Sequence, residues 1–336
     1  MKNKKFILIF ITTILFIFNS TAYAVNEFNF DVTNIEILEN GKIYKGKNRG
    51  IINSENGVVV NANEFEYNKD TNILITTGNV KIEDTVNNYI IFSDKVIYNK
   101  NNEIIFTEGN SKALDNNGKI ITAVNFEYNR KKNIINGKNN VKLEDNLQNY
   151  ILLTDEITYE KNQEKIFTNG KTEATIKSKY NFKTEDLTLL LNQNRLNSDK
   201  RAVIKDNYSN IYQLDNFDYL INTEQLKGYN IIITTKYGLP DSDKFYFADA
   251  IINLENKDFI AKDTKIEIHR SVFGNNKNNP RLKGISSRKD SNITTVKKGI
   301  FTSCGENEKC PPWSITSKTI KQTFKWGLRL NGVNTK

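Results

Sequence analysis

Histidine and cysteine, the side chains on which many metal centres and nucleophilic active sites depend, are scarce in this chain. The 336 residues include one histidine, His269, and two cysteines, Cys304 and Cys310. A structural zinc site usually needs four Cys or His ligands, and no Ser-His-Asp order is present. A Gly-rich phosphate loop is also missing, as is a carboxylate pair separate from the repeated charged positions. The sequence therefore predicts a protein that is not an enzyme and has no metal or cofactor.

Long apolar runs are confined to the N-terminus. A basic segment at residues 2–5 precedes an apolar stretch over residues 6–18, and the tripeptide Ala22-Tyr23-Ala24 follows. This order is typical of a signal peptide, which we predict over residues 1–24, with an uncleaved anchor helix as the alternative. No later segment approaches the roughly 18 to 20 apolar residues that a membrane-spanning helix requires. We therefore expect an exported chain.

Acidic residues are too few to balance the basic ones. The formal charge of +9 includes three lysines within residues 1–24, so the processed chain would carry 9 − 3 = +6. Much of this excess lies beyond residue 260. A basic surface can attract nucleic acid, anionic lipid or phosphorylated sugar. Export makes nucleic acid the least expected of these, and we predict no nucleic-acid partner.

An internal repeat with an offset of 61 residues is the most informative feature that is present. The segment Ala62–Asn68 returns as Ala123–Asn129, and Asn79–Asp84 returns as Asn140–Asp145. About half of the positions between 62 and 113 are matched by identical residues. The repeat predicts one structural unit over residues 62–122 and a second over residues 123–183.

Each unit divides into halves of two or three strands. The division is marked by tyrosines that lie 31, 30 and 31 residues apart, namely Tyr67, Tyr98, Tyr128 and Tyr159. Apolar residues alternate with polar ones, as in Phe65-Glu66-Tyr67, which predicts half-buried strands. Turns are predicted at residues 68–70, 116–118 and 138–140, and the only candidate for a helix is 185–196. Glu83-Asp84 and Glu144-Asp145 recur with the repeat, which favours solvated turns or strand ends.

Repeated short strands with one apolar face can close as a propeller, stack as a solenoid or fold as a jelly roll. Propellers require four or more blades, usually of about 40 to 50 residues, and only two clear copies are present here. The prediction is an all-β chain, elongated, with a stacked jelly roll or a solenoid as its architecture.

The repeat resembles the OstA-type repeat of the lipopolysaccharide-transport proteins. The resemblance is carried by Ala-x-x-Phe-x-Tyr, then Asn-Val-Lys, Ser-Asp or Thr-Asp, and a closing glycine, over 62–109 and 123–170. Further along, Phe301-Thr302-Ser303-Cys304 and Pro311-Pro312-Trp313 resemble the junction between the periplasmic domain and the membrane barrel in LptD-type members. The tail after Ile315 departs from that pattern, so we expect a product that lacks the barrel.

The resemblance implies an OstA-like β-jelly roll, V-shaped and built of short antiparallel strands, over residues 25–270. Residues 271–336 would then be the segment that leads to a barrel. The implied function is transport of lipopolysaccharide through the periplasm to the outer membrane. The implied partners are lipopolysaccharide, a periplasmic OstA-type bridge protein that pairs with an edge strand within residues 25–60, and an outer-membrane lipoprotein if the barrel were present. A stand-alone bridge protein and an adhesive surface repeat protein are the alternatives.

On this interpretation the inward side chains line a groove for the acyl chains of the lipid, although they could equally fill a closed core. The predicted lining residues are Phe65, Tyr67, Val80, Ile82, Ile90, Phe92, Val96, Tyr98, Phe126, Tyr128, Val141, Leu143, Ile151, Leu153, Ile157 and Tyr159. The family uses disulfides to connect this domain to the barrel. No barrel cysteine exists in this sequence, and we predict a bond between Cys304 and Cys310.

Overall fold

The computed structural model describes residues 28–270, 278–305, 313–323 and 327–335, the last range as backbone only. The predicted signal peptide and Cys310 lie outside these residues. The first strands are β1 (Phe28–Leu38), β2 (Ile43–Ser54), β3 (Val58–Ala62), β4 (Glu64–Asn68), β5 (Ile73–Asp84), β6 (Tyr89–Asn99), β7 (Ile104–Asp115), β8 (Lys119–Asn129), β9 (Ile134–Asp145), β10 (Tyr150–Glu160), β11 (Lys165–Ile176) and β12 (Tyr180–Glu185).

The remaining strands are β13 (Thr188–Leu190), β14 (Arg195–Ser198), β15 (Ala202–Asp206), β16 (Ile211–Leu214), β17 (Asn216–Leu220), β18 (Gln225–Thr234), β19 (Lys244–Asn253), β20 (Phe259–Glu267), β21 (Arg281–Asp290), β22 (Ile293–Thr302), β23 (Ile315–Thr323) and β24 (Gly327–Thr335). Three short 3-10 helices lie at Glu39–Gly41, Lys161–Gln163 and Leu191–Gln193. Among the described residues, no helix is both long enough and apolar enough to cross a membrane.

The strands form one antiparallel meander in which each strand pairs with the strands before and after it. Some strands are interrupted in the middle: β3 and β4 together oppose both β2 and β5. The full-length strands begin about every 15 residues, at Phe28, Ile43, Val58, Ile73 and Tyr89. One half of the sequence repeat is therefore one pair of strands, and the predicted all-β jelly roll of antiparallel strands is confirmed.

Most full-length strands are irregular near their middle. In β6 the register shifts between Phe92 and Lys95, and in β10 it shifts between Thr154 and Glu156. Such bulges bend a strand and increase its twist. The predicted turn at residues 138–140 is wrong because these residues lie inside β9, at its register irregularity, where Asn139 has a φ of 65°.

Buried hydroxyl groups satisfy the backbone where the strands bend. Ser93 Oγ lies 3.0 Å from the carbonyl oxygen of Lys95 and 3.1 Å from that of Glu108. Thr107 Oγ1 accepts the N–H of Phe126 at 2.8 Å. These bonds replace ladder bonds that each bulge removes, which explains why Ser and Thr occupy buried positions there.

The predicted turns at residues 68–70 and 116–118 are confirmed, because each connects two strands. The stretch 185–196 is not an α-helix but contains β13, a 3-10 turn and the start of β14. β20 pairs with β21, so the meander continues past residue 270, where the sequence predicted a boundary. Within the described residues β1 pairs with β2 alone, which leaves its outer edge without a strand partner.

Candidate functional site

The two halves of each bent strand pack against each other through apolar side chains. Tyr89, at the start of β6, contacts Tyr128, near the end of β8, with ring centroids 5.1 Å apart. Phe28, at the start of β1, contacts Tyr67, near the end of β4, at 4.9 Å. Contacts between strand starts and strand ends show that the sheet is folded over at the bulges. It encloses one continuous apolar interior.

Twelve of the sixteen predicted groove residues line this interior, and each is at most 5% exposed. They are Phe65, Tyr67, Val80, Ile82, Val96, Tyr98, Phe126, Tyr128, Val141, Leu143, Ile157 and Tyr159. Their burial shows that the interior between β4 and β10 is closed to solvent in this conformation.

The inward orientation predicted for the other four residues is wrong. Ile90, Phe92 and Leu153 are 37%, 39% and 44% exposed on the outer face, and Ile151 is half-buried. The alternation of the first strand half was extended from that of the second half, and the two halves are out of phase.

The cause of this phase change is the β-bulge. In β6 both Ser93 and Val96 are buried, although they are three positions apart, because the bulge inserts one additional residue between them. The inward residues before the bulge are therefore Tyr89 and Ile91, which the sequence prediction missed. The recurring Ser-Asp or Thr-Asp pair and the closing glycine of the repeat mark the bulge and could have revealed it.

A row of polar contacts, which we call the polar seam, joins the turns at the two ends of the folded strands. It comprises Asn56, Asp84, Asn87, Tyr98, Glu103, Asp115, Tyr128, Arg130, Tyr159 and Lys161. Its bonds connect residues that are 42 to 74 positions apart in the chain, for example Asn56 to Tyr98 and Lys161 to Asn87. The polar seam holds the two half-sheets together along the side opposite the bulges.

Asp84 and Arg130 form the most buried ion pair of the polar seam. Arg130 Nε donates to Asp84 Oδ2 at 2.8 Å and Arg130 Nη2 donates to Asp84 Oδ1 at 3.1 Å. Tyr128 Oη donates to the same carboxylate at 2.7 Å. Burial by itself would raise the pKa of Asp84, but these hydrogen bonds outweigh it and hold the pKa at about 2. The carboxylate is therefore charged in the folded protein.

The pattern recurs one unit further along. Tyr159 Oη donates to Asp115 Oδ2 at 3.2 Å, and Lys161 Nζ donates to the carbonyl oxygen of Asn87 at 2.7 Å. The repeating tyrosines thus present an apolar ring to the interior and a hydroxyl to the polar seam. The prediction that Asp84 and Asp145 lie in solvated positions is wrong, since each is 1% exposed.

A cavity of about 530 Å³ opens among the turns beyond residue 207. The turn between β18 and β19 is longer than the others, because it spans residues 235–243. The cavity is lined by Tyr208, Asn210, Tyr212, Ile233, Thr235, Lys236, Asp241, Asp243, Phe245, Ile252, Glu255, Lys257, Phe259, Lys289 and Asn292. Its apolar wall is continuous with the buried interior, since Ile233, Phe245, Ile252 and Phe259 belong to the same core cluster.

Two lysines project from the polar side of this cavity. Lys257 Nζ lies 2.6 Å from Asp206 Oδ2 and 5.4 Å from the ring centroid of Tyr208. Lys289 Nζ donates to the carbonyl oxygen of Lys257 at 3.0 Å, and its nearest carboxylate oxygen, on Asp258, is 3.9 Å away. Burial lowers the pKa of Lys289, and the distant carboxylate of Asp258 compensates only in part. An anionic group in the cavity would add the partner that this ammonium lacks at close range.

The residues that carried the junction resemblance are close together. The rings of Phe301 and Trp313 have centroids 6.0 Å apart, and Thr302 Oγ1 donates to the carbonyl oxygen of Trp313 at 2.9 Å. Cys304 is a buried free thiol in this structure, with its Sγ 3.7 Å from the same carbonyl oxygen. The predicted disulfide is therefore not formed here, and Cys310 lies outside the described residues. Among the described residues, no group of three or more His, Cys, Asp or Glu is arranged to hold a metal.

Comparison with known proteins gives one family. Residues 42–146 match the family described as lipopolysaccharide-assembly, LptC-related. The crystal structure of LptH from Pseudomonas aeruginosa, described as the LptA-homologous periplasmic component of the lipopolysaccharide transport device, is similar over 34% of this chain and 82% of that chain, with 10% identity and a TM-score of 0.31. No curated protein matches the chain. The segment that builds β2 to β9, about a third of the chain, is thus similar to the LptC-related lipopolysaccharide-assembly family.

Proposed function

We propose that this protein binds lipopolysaccharide and carries it through the periplasm towards the outer membrane. The observation that supports this most directly is the folded sheet whose apolar interior opens at the cavity, with lysines on the polar side. The LptC-related family match over residues 42–146 supports the same function. Export by a cleaved signal peptide is part of this proposal, as is a periplasmic location in association with the outer membrane.

The acyl chains would lie against the apolar wall of the cavity. Each methylene removed from water contributes about 0.8 kcal/mol, so several acyl chains strongly favour a dry, continuous surface over an exposed one. The cavity volume of about 530 Å³ lies in the range of small-ligand sites, roughly 300 to 1,000 Å³. A lipid with several acyl chains needs more room than this, so the polar seam would have to part as the lipid advances.

The phosphate groups of the lipid would lie at the lysines. Lys257 and Lys289 project from the polar side, and Lys236 stands on the long turn, where its side chain is 55% exposed. Lys289 is the most strongly buried of the three, with a side-chain exposure of 12%. A charged hydrogen bond to a phosphate is worth about 1.5 to 3 kcal/mol, so Lys289 would contribute measurably to affinity.

Transfer to the next protein would use the outer edge of β1. This edge has no strand partner among the described residues, and Ile35 and Ile37 are exposed beside it. An exposed edge can receive a strand from another protein by β-augmentation. Pairing with a periplasmic bridge protein would extend the meander from one protein to the next.

Two forms of this function remain as candidates. The cluster of Phe301, Thr302, Cys304 and Trp313 favours the periplasmic part of an LptD-type assembly protein, which would also meet an outer-membrane lipoprotein through a barrel. The LptC-related match favours a stand-alone bridge protein. Cross-linking from the edge of β1 in cells discriminates them: capture of an outer-membrane barrel complex supports the first, and capture of only inner-membrane and bridge components supports the second.

Photo-cross-linking to lipopolysaccharide tests the shared proposal. A photoreactive phenylalanine would replace Phe245 or Phe259 in the cavity, and Tyr67 or Tyr128 in the interior. Phe92 and Leu153 are matched controls, because they lie in the same repeats but face outwards. We expect labelling from the cavity and interior positions and little from the controls. Equal labelling from both groups, or none from the cavity, would contradict the proposal.

A further inference from the structure

Charge is distributed unevenly along the meander. The six strands β5 to β10 carry 6 basic and 11 acidic residues, a net charge of −5. The six strands β18 to β23 carry 12 basic and 4 acidic residues, a net charge of +8. A general richness in lysine does not produce this difference, because it would raise both groups. The basic end of the meander is therefore a distinct feature of the surface.

Exposed isoleucines lie among these basic residues on the outer side of the sheet. They are Ile251, Ile260, Ile285, Ile293 and Ile300, each between 43% and 60% exposed. We call the outward side of β18 to β23 the basic face. An exposed isoleucine standing alone is ordinary, but five on one face of six neighbouring strands form a patch that needs a reason.

The strand register places the isoleucines and the cations in one row. Lys227 is opposite Ile251, Ile251 is opposite Ile260, and Ile260 is opposite Arg288. Neighbouring strands are about 4.8 Å apart, so the row brings two isoleucines together between two cations. The same association recurs between Lys283 and Ile300 on β21 and β22.

Many of these cations have no carboxylate partner. Lys262, Lys265 and Arg288 pair with acidic residues on the same face. Within the described residues, no ion pair is formed by Lys227, Lys283, Lys297, Lys298, Lys318 or Lys321. The positive charge of the basic face is thus available to an external anion.

We propose that the basic face docks on the surface of an anionic phospholipid bilayer. Cations near such a surface each contribute about 1 kcal/mol, and apolar side chains between them enter the headgroup region. Nucleic acid also attracts cations, but it offers nothing to a row of exposed isoleucines. The interior cavity faces the other side of the sheet, so docking leaves it accessible. The inference is independent of lipopolysaccharide binding, since the two use opposite faces.

Vesicle co-sedimentation tests this docking. The processed full chain would be mixed with vesicles of phosphatidylcholine alone, or of phosphatidylcholine with phosphatidylglycerol. We expect binding to the anionic vesicles only, weakened by salt. The variant K227E/K262E/K283E/R288E should bind at least about tenfold more weakly. The matched control K81E/K95E/K112E/K138E makes the same change of net charge on β5 to β9 and should bind like the unchanged chain or lose less than about twofold.

A second variant examines the isoleucines. I251S/I260S leaves the charge unchanged and should weaken binding to anionic vesicles several-fold, with circular dichroism and thermal unfolding showing that each variant is folded. Absence of binding to anionic vesicles would overturn the proposal, and so would equal losses in the two charge variants. Full binding by I251S/I260S, or tighter binding to duplex DNA than to anionic vesicles, would overturn it as well.

Discussion

Arg130 holds Asp84 in a two-point ion pair that joins turns 46 residues apart in the chain. The side chains are 2% and 0% exposed, and Tyr128 completes the contact from the same strand region as Arg130. Two half-sheets that share only an apolar interface could slide past each other, whereas this pair permits a single alignment. The polar seam therefore fixes the register between the halves of the folded sheet.

Removal of Arg130 should destabilise the fold strongly. Arg130→Met leaves the Asp84 carboxylate buried without its partner, which should lower the free energy of unfolding by about 3 to 5 kcal/mol. Urea unfolding measures the change. Arg195→Met is the matched control, because Arg195 makes the same two-point contact with Asp218, at 2.7 and 2.6 Å, but both side chains are at least 32% exposed. The control should lose less than about 1 kcal/mol, and similar losses in the two variants would contradict the importance of burial.

Acid should weaken the protein through Asp84. The pKa is about 2 in the folded protein and about 3.9 in an unfolded chain, so the unfolded state takes up a proton first as the pH falls. The stabilisation is present above about pH 4 and is lost as the pH falls towards about 2, by about 2 kcal/mol in total. Urea unfolding across this range should give a flatter profile for Asp84→Asn than for the unchanged chain. Parallel profiles would show that Asp84 does not contribute in this window.

The glycine at the bulge of β7 should tolerate substitution less well than its counterpart in the next repeat. Gly109 and Gly170 have φ values of 78° and 84°, which cost an alanine about 1 kcal/mol in either position. A Cβ at Gly109 would also meet Asp94 Oδ2 at 2.6 Å, whereas a Cβ at Gly170 meets nothing within 4 Å. Gly109→Ala should therefore lower the thermal midpoint more than Gly170→Ala. A larger loss for Gly170→Ala would show that the contact with Asp94 has no effect.

Lys289 should contribute to the affinity for phosphorylated lipid and little to stability. Lys289→Met removes an ammonium whose pKa is already lowered by burial, so we expect the thermal midpoint to change little. Binding of lipid A carrying its phosphates should weaken about tenfold, while binding of dephosphorylated lipid A should stay the same. Lys183→Met, which removes an exposed lysine outside the cavity, is the control. Equal effects on both lipids would exclude a phosphate contact at Lys289.

Much of the fold could be predicted because its signals are local. The spacing of Tyr67, Tyr98, Tyr128 and Tyr159 revealed the strand-pair period, and short alternating segments revealed strands rather than helices. Twelve of the sixteen predicted inward residues are buried for the same reason. Alternation fails where a strand contains a bulge, which reverses the orientation of Ile90 and Phe92 relative to the expectation.

The candidate site was predicted less completely. Asp84 appeared to be a solvated residue because its neighbours Thr85 to Asn88 are polar, yet its partner Arg130 comes from a turn far along the chain. The cavity was also missed, since Ile233, Phe245 and Phe259 come from three strands that no local pattern brings together.

The sequence by itself determined the strand period, the all-β class and the excess of basic residues near the C-terminal end. These properties follow from composition and from alternation between neighbouring residues, which each segment carries alone. Only the tertiary structure decided which side of each strand half faces inwards, which charges are buried, where the interior opens and which isoleucines share a face with the cations. Those properties depend on strand register and on contacts between residues 40 or more positions apart, as between Asp84 and Arg130. Folding of the whole meander is needed to bring such residues together.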